Sequence, residues 1–176
     1  MPEVWLTLKD VPAEGREFSF SDQSLWTDAW REFGLPYAVK RPLEARLFVL
    51  PQKDGALIRG SITGAISLPC DRCVEDTELS VEESFEVYEQ LEDEDAEVPE
   101  EGWLRQAGDH LELNAGGLLW EQFLLALPVK PLCSAACKGL CPGCGQNLNL
   151  GPCQCEREQS DPRLAVLRDL KLTKKQ

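Results

Sequence analysis

The residues best suited to chemistry in this chain are its eight cysteines, which fall into four close pairs. Cys70 and Cys73 have two residues between them, Cys133 and Cys137 three, Cys141 and Cys144 two, and Cys153 and Cys155 one. A Cys-x-x-Cys turn aims two sulfurs at one point, so two such pairs supply the four-thiolate tetrahedron that Zn2+ takes. Cys141-Pro-Gly-Cys144-Gly145 is the strongest example: the proline fixes the turn entry, and the glycine permits a backbone that brings amide N–H groups toward the sulfurs. After Gly151-Pro152 turns the chain back, Cys153-Gln-Cys155 can close the tetrahedron, giving a first expected centre of Cys141, Cys144, Cys153 and Cys155. A second, from Cys70, Cys73, Cys133 and Cys137, would staple the middle of the chain to its C-terminal part, since closing a long loop adds little entropy cost beyond closing a short one. Four pairs combine in three ways, and Cys133, Cys137, Cys141 and Cys144 form a competing set. The expected cofactor is one or two Zn2+, with iron the alternative that spacing leaves open.

Other chemistries find less support. A disulfide framework suits an oxidising compartment, and the start of the chain, MPEVWLTLKD, lacks a basic region followed by an apolar signal segment. No stretch approaches the ~18 consecutive apolar residues of a membrane span, so the chain is expected to be soluble and cytoplasmic. Cys70-Asp-Arg-Cys73 is a candidate redox pair, Arg72 lowering a thiol pKa, but it lacks the strand-to-helix setting of a thioredoxin-like motif. The single histidine, His110, has no neighbouring cysteine or nucleophile, and no phosphate-binding glycine loop or Ser-His-Asp set is present. No enzyme is expected.

The cysteines must be positioned by a domain of some size, since 176 residues that are 43% hydrophobic suffice for a packed core. Residues 4–8 alternate as a first strand. Ser21 or Asp22 caps a helix over residues 25–33, with Trp26 and Trp30 four apart and Leu25, Ala29 and Phe33 in an adjacent row. Residues 43–52 and 56–69 read as a β-hairpin about Asp54-Gly55, with Gly60 and Gly64 marking bulges. Beyond residues 70–73, Leu79, Val81, Phe85 and Val87 outline another strand whose opposite face is nearly all carboxylate. Residues 92–102 are too charged to pack, and residues 110–114 form a short strand. A mostly apolar, buried helix covers residues 118–128, loops follow to residue 155, and Asp161-Pro162 starts a last helix bearing Leu164, Leu167 and Leu170. The expected fold is therefore α+β, a small antiparallel β-sheet with two to three helices and a C-terminal Cys-rich, zinc-stabilised segment: a core over residues 1–128 that includes the acidic strand and loop of residues 74–104, then the Cys-rich segment and C-terminal helix over residues 129–176. Of the five tryptophans only Trp103, beside the acidic loop, is expected to be free for a partner.

The net charge of −13 is unevenly placed. Residues 74–104 hold fourteen acidic residues and no Lys or Arg, the rest of the chain balances to +1, and residues 129–176 carry +4. An acidic strand and loop repel nucleic acid and attract a basic protein, which makes Glu92, Asp93, Glu94, Asp95 and Glu97 candidates for contact with a basic partner. Phosphate can be met only by the basic tail, through Lys138, Arg157, Arg163, Arg168, Lys171, Lys174 and Lys175. Each four-cysteine zinc centre carries −2, however, and no aromatic residue follows Phe123 to stack on bases. The charge map thus favours the protein partner. No membrane and no small-molecule substrate is expected.

These features occur together in one family. Leu68-Pro-Cys-Asp-Arg-Cys73, Leu124-Leu-Ala-Leu-Pro128 with Lys130-Pro131, Cys137-Lys-Gly-Leu-Cys-Pro-Gly-Cys-Gly145, Asn147-Leu-Asn149, Cys153-Gln-Cys155 and Asp161-Pro-Arg163 resemble the YceD-like large ribosomal RNA subunit accumulation proteins over residues 68–170. The resemblance implies a non-enzymatic bacterial or organellar ribosome biogenesis factor, required for normal levels of large-subunit ribosomal RNA and associated with a small zinc-binding ribosomal protein. It also implies that Cys70 and Cys73 are the family's more general pair. Two modes of action follow: binding a basic ribosomal protein, or binding precursor rRNA in the assembling large subunit. A thiol-redox protein using Cys70 and Cys73 is the alternative outside the family.

Overall fold

The structure, a computed structural model, describes residues 2–91 and 102–155. Within them the elements run β1 (Trp5–Thr7), β2 (Arg16–Phe20), α1 (Ser24–Glu32), β3 (Ala38–Gln52), β4 (Gly55–Pro69), β5 (Asp76–Gln90), β6 (Leu104–Ala107), β7 (His110–Asn114) and α2 (Ala115–Ala126). The α+β class holds, but the expected single sheet is two: a four-stranded antiparallel sheet in the order β2-β3-β4-β5 and a three-stranded one in the order β1-β7-β6. Among the described residues no helix is long and apolar enough to cross a membrane. The helix expected from residue 161 lies outside the described residues, as does the acidic loop apart from Gly102.

Alternation decides which side of the large sheet is covered. Ala45, Leu47 and Val49 of β3 and Ile58, Ile62 and Ile66 of β4 are fully buried on one face, each pair of successive members two or four residues apart. The helices close this face. Phe123 of α2 is the hub, with its ring centroid 5.3 Å from Trp26, 6.0 Å from Trp30 and 5.7 Å from Trp120. Such tilted and offset aromatic pairs contribute roughly 0.5–1.5 kcal/mol each beyond area burial. The N-cap of α1 is Gln23 rather than Ser21 or Asp22, and Asp22, one residue before it, accepts through Oδ1 from the N–H of Ser24 at 2.9 Å. Helix α2 starts three residues earlier than the apolar pattern indicates, because the Asn114 side chain accepts from the N–H of Gly117 and so caps the helix directly from β7.

The hairpin turns at Lys53-Asp54, but only one of the two glycines marks a bulge. Pro42 and Leu43 of β3 both stand opposite Gly64, and a proline within a strand is admitted at such an irregularity. Gly60 pairs regularly with Leu47 and Phe85, and its missing side chain makes room for the Phe85 ring, whose Cζ would lie 2.1 Å from an added Cβ. In α2 the same logic applies to backbone: a Cβ on Gly116 would come within 2.8 Å of both the Pro2 carbonyl oxygen and the Val4 nitrogen. Helix propensity alone favours alanine there by up to about 1 kcal/mol. Because the clashing atoms are backbone, Gly116→Ala is expected instead to destabilise the protein by about 1–3 kcal/mol, read as a lowered urea midpoint. A raised midpoint would show that β1 is not held against α2 in this way.

Candidate metal centres

Strands β4 and β5 are paired to their last residues, Pro69 opposite Asp76, so the six residues between them form a closed loop. Cys70 N–H donates to the Glu75 carbonyl at 2.9 Å and Val74 N–H to the Cys70 carbonyl at 2.9 Å. The same two bonds recur in the C-terminal segment, Cys141 N–H to the Gln146 carbonyl and Gly145 N–H to the Cys141 carbonyl, both at 2.8 Å. The two Cys-x-x-Cys turns are therefore one construction built twice. In each, the residue after the second cysteine is left-handed, at φ +75° for Gly145 and φ +63° for Val74. For a β-branched residue that conformation is strained.

The sulfurs of Cys70, Cys73, Cys133 and Cys137 all lie within 4.8 Å of one another, and so do those of Cys141, Cys144, Cys153 and Cys155. Among the described residues these are the only two groups of this kind. The structure thus brings together the two expected sets and not the competing set of Cys133, Cys137, Cys141 and Cys144. The first group joins the sheet to the loop segment: Cys70 and Cys137 sulfurs are 3.8 Å apart and Cys73 and Cys133 sulfurs 3.6 Å, while Asp71 N–H donates to the Pro131 carbonyl. The second group is local to residues 141–155, with Cys141 and Cys153 sulfurs at 3.3 Å. A tetrahedron of thiolates about a metal at ~2.3 Å has edges of about 3.8 Å, and a disulfide would need ~2.05 Å. The donor sets fit a tetrahedral cation.

Hydrogen bonding has already sorted the thiols. The backbone N–H of Cys133, followed by those of Arg72 and Cys73, holds the Cys70 thiol down to about 6 against the effect of burial. Cys141 is held down to about 6, first by the backbone N–H of Cys144. The Asn149 side chain leads the groups that pull Cys137 below the ordinary thiol value, its Nδ2 standing 3.3 Å from the sulfur. Cys133 is pushed up to about 12, chiefly by its hydrogen bond with Cys137, and Cys155 to about 12, chiefly by Cys144. Each group holds a ready thiolate beside a thiol whose proton a cation must displace.

Arg72 was expected to lower a thiol pKa by its charge. It does so with its backbone, while its guanidinium donates to the Cys137 carbonyl at 2.8 Å and locks the two segments together. With Cys70 and Cys73 only 1% and 4% exposed, this pair lacks the access that thiol exchange requires.

Other expected contacts are distributed differently. Lys138 is exposed beside the first group, and its backbone N–H donates to Asn149 Oδ1. Arg157, Arg163, Arg168, Lys171, Lys174 and Lys175 lie outside the described residues, as do Glu92, Asp93, Glu94, Asp95 and Glu97. Trp103 is not free for a partner: it is half-buried against the core, it overlies Gly117, and its Nε1 donates to Glu121 Oε2 at 2.8 Å. Its backbone N–H donates to Glu89, whose carboxyl is raised by burial and also by the charge of Glu121. His110 sits on β7 between Asp109 and Glu112 and touches neither cysteine group. Sequence reasoning about chemistry overlooked Val74 and gave Asn149 no role. The comparison that would have found Val74 is its equivalence to Gly145.

Residues 58–171 match the family described as large ribosomal RNA subunit accumulation protein YceD, and that span includes all eight cysteines. The chain belongs to the YceD family. The Arabidopsis thaliana protein named Large ribosomal RNA subunit accumulation protein YCED homolog 1, chloroplastic, is 24% identical over 156 residues, covering 74% of this chain and 49% of the relative. Uncharacterized proteins of Mycobacterium bovis and Mycobacterium tuberculosis are 30% identical over 129 residues, covering 71% of this chain and 60% of theirs. The chain thus spans about half to three fifths of the length of these relatives. No solved structure matches it significantly. The family is named for ribosomal RNA accumulation and not for a catalysed reaction.

Two outcomes follow from this geometry. Val74→Gly relieves the left-handed strain and should stabilise the protein by about 1 kcal/mol after the entropy cost of glycine, seen as a higher thermal midpoint, whereas an unchanged or lower midpoint would remove the strain argument. Because thiols such as Cys133 and Cys155 must lose protons to bind a cation, acid competes with the metal. The affinity for a divalent ion should therefore rise with pH across about 6 to 8, and a flat profile in a competition titration would contradict thiolate ligation.

Proposed function

We propose that this protein is a non-enzymatic assembly factor of the large ribosomal subunit that supports rRNA accumulation by holding a basic ribosomal protein, with zinc in both cysteine centres fixing the C-terminal segment. The observation that carries the protein-partner reading is the outer face of β5. Asp76, Glu78, Glu82 and Glu86 are exposed on one side of a strand that, among the described residues, pairs only with β4 at the edge of its sheet. Carboxylates about 7 or 14 Å apart along one line make a surface for Lys- and Arg-rich chain. Glu86 is paired with Arg59 across the sheet, so among the described residues the net negative charge of this face rests on Asp76, Glu78 and Glu82. Zinc is the reading for the cation because an all-thiolate tetrahedron with no further donor is a structural zinc site. Direct contact with precursor rRNA is the second reading, supported by the basic residues of the tail and by the exposed Lys138.

Metal analysis of the purified protein is expected to give two zinc ions per chain, and another metal, or none, would overturn the zinc assignment. Capture from cells over a salt gradient is expected to yield a basic ribosomal protein. Glu78→Gln, Glu82→Gln and Glu86→Gln together should weaken that complex on the order of tenfold at low salt and far less at high salt. Salt-independent binding that ignores the three changes would overturn the adaptor reading. Crosslinking in living cells concentrated at one region of precursor rRNA would transfer the function to direct RNA binding.

A further inference from the structure

The two cysteine groups are built alike but held differently. In the first, Cys70, Cys73 and Cys137 are 1%, 4% and 3% exposed, leaving Cys133 alone at the surface. Its ligands come from the β4–β5 loop and from residues 133–137, so opening it requires parting two chain segments that Arg72 and Asp71 also join by hydrogen bonds. In the second, Cys144 and Cys155 are exposed, Cys153 is half-buried and only Cys141 is buried. All four ligands lie in one fifteen-residue loop whose only strand-like element is the Leu140–Asn147 bridge.

A competing ligand removes a thiolate-bound metal by attacking the ion from an open side and taking over one donor at a time, so exposed donors on a local loop exchange fastest. Partners in the outer shell slow this process, typically changing metal affinity by 10–100-fold. The first group has such a partner in Asn149, which donates to the Cys137 sulfur and accepts from Lys138 N–H. Asn149 itself belongs to the loop of the second group. Order in the second centre therefore supports the first, while the first is still held by its own two segments when the second opens.

Resting on the zinc reading above, we propose that the two centres exchange metal unequally. Cys141, Cys144, Cys153 and Cys155 form an exchangeable centre that equilibrates with outside zinc ligands, and Cys70, Cys73, Cys133 and Cys137 form a retained centre that keeps the fold closed.

The test uses the full chain loaded with two equivalents of zinc and mixed with excess 4-(2-pyridylazo)resorcinol, whose colour reports released metal. Two phases of one ion each are expected, the first faster by at least about tenfold. Alkylation with iodoacetamide at the end of the fast phase, followed by peptide mass spectrometry, should mark residues 141, 144, 153 and 155 and spare 70, 73, 133 and 137. Cys144→Ser with Cys155→Ser should abolish the fast phase and leave the slow ion in place. A single phase, or early alkylation of Cys70 or Cys73, would overturn the inequality while leaving a two-zinc protein intact. A chain that binds no zinc at all would overturn both this inference and the zinc reading beneath it.

Discussion

Fifteen consecutive residue pairs hold β4 against β5, from Gly55 opposite Gln90 to Pro69 opposite Asp76, and the first cysteine pair stands where that ladder stops. A loop of six residues between two fully paired strands has little freedom, so Cys70 and Cys73 are presented at a fixed point before any C-terminal residue arrives. Residues 129–155 have almost no apolar periodicity with which to find their place. They are located by sulfur, by Arg72 and by the Asp71 backbone. Hydrophobic burial builds the domain of helices and sheets, and polar and thiolate contacts attach the rest to one end of it.

Strand β5 shows how one sequence pattern meets two demands. Its inward apolar residues, Leu79, Val81, Phe85 and Val87, pack on the core, and its outward row holds four carboxylates, two serines, Tyr88 and Gln90. A fifteen-residue edge strand with an apolar outer face would be prone to pairing with other chains. A column of like charge discourages that and still admits a partner of opposite sign. Charge here guards an edge against like strands more than it strengthens the fold.

Much of this was legible before any coordinates. The hairpin of β3 and β4, the alternating β5 and the helix with Trp26 and Trp30 facing the core follow from period, though the turn falls at Lys53-Asp54, one residue before the Asp54-Gly55 that turn chemistry favours, and the four cysteine pairs follow from spacing. Which pairs would meet was not, because a closure of some sixty residues is nearly as cheap as many others and only the position of the hairpin's end decides it. Strand β2 carries only a short alternation in Glu17, Phe18, Ser19 and Phe20, and β6, four residues with one buried leucine, carries no pattern at all. Trp103 looked free because it borders a charged run, and its Glu121 partner lies eighteen residues away on α2. Nothing in the type of Val74 signals the left-handed turn it completes, because valine almost never adopts one, and only its position, matching that of Gly145, does so.

The clustering of aromatic rings divides the molecule optically. Trp26, Trp30 and Trp120 gather about Phe123, Trp5 lies under Arg105 and Trp103 lies over α2, while the sequence holds no aromatic residue beyond Phe123. Tryptophan emission therefore reports the packed core, and the whole cysteine-bearing C-terminal segment emits nothing of its own. Opening of that segment alone, with the core intact, therefore passes unseen in tryptophan fluorescence, and a fluorescence midpoint measures the core and not the attachment of the segment.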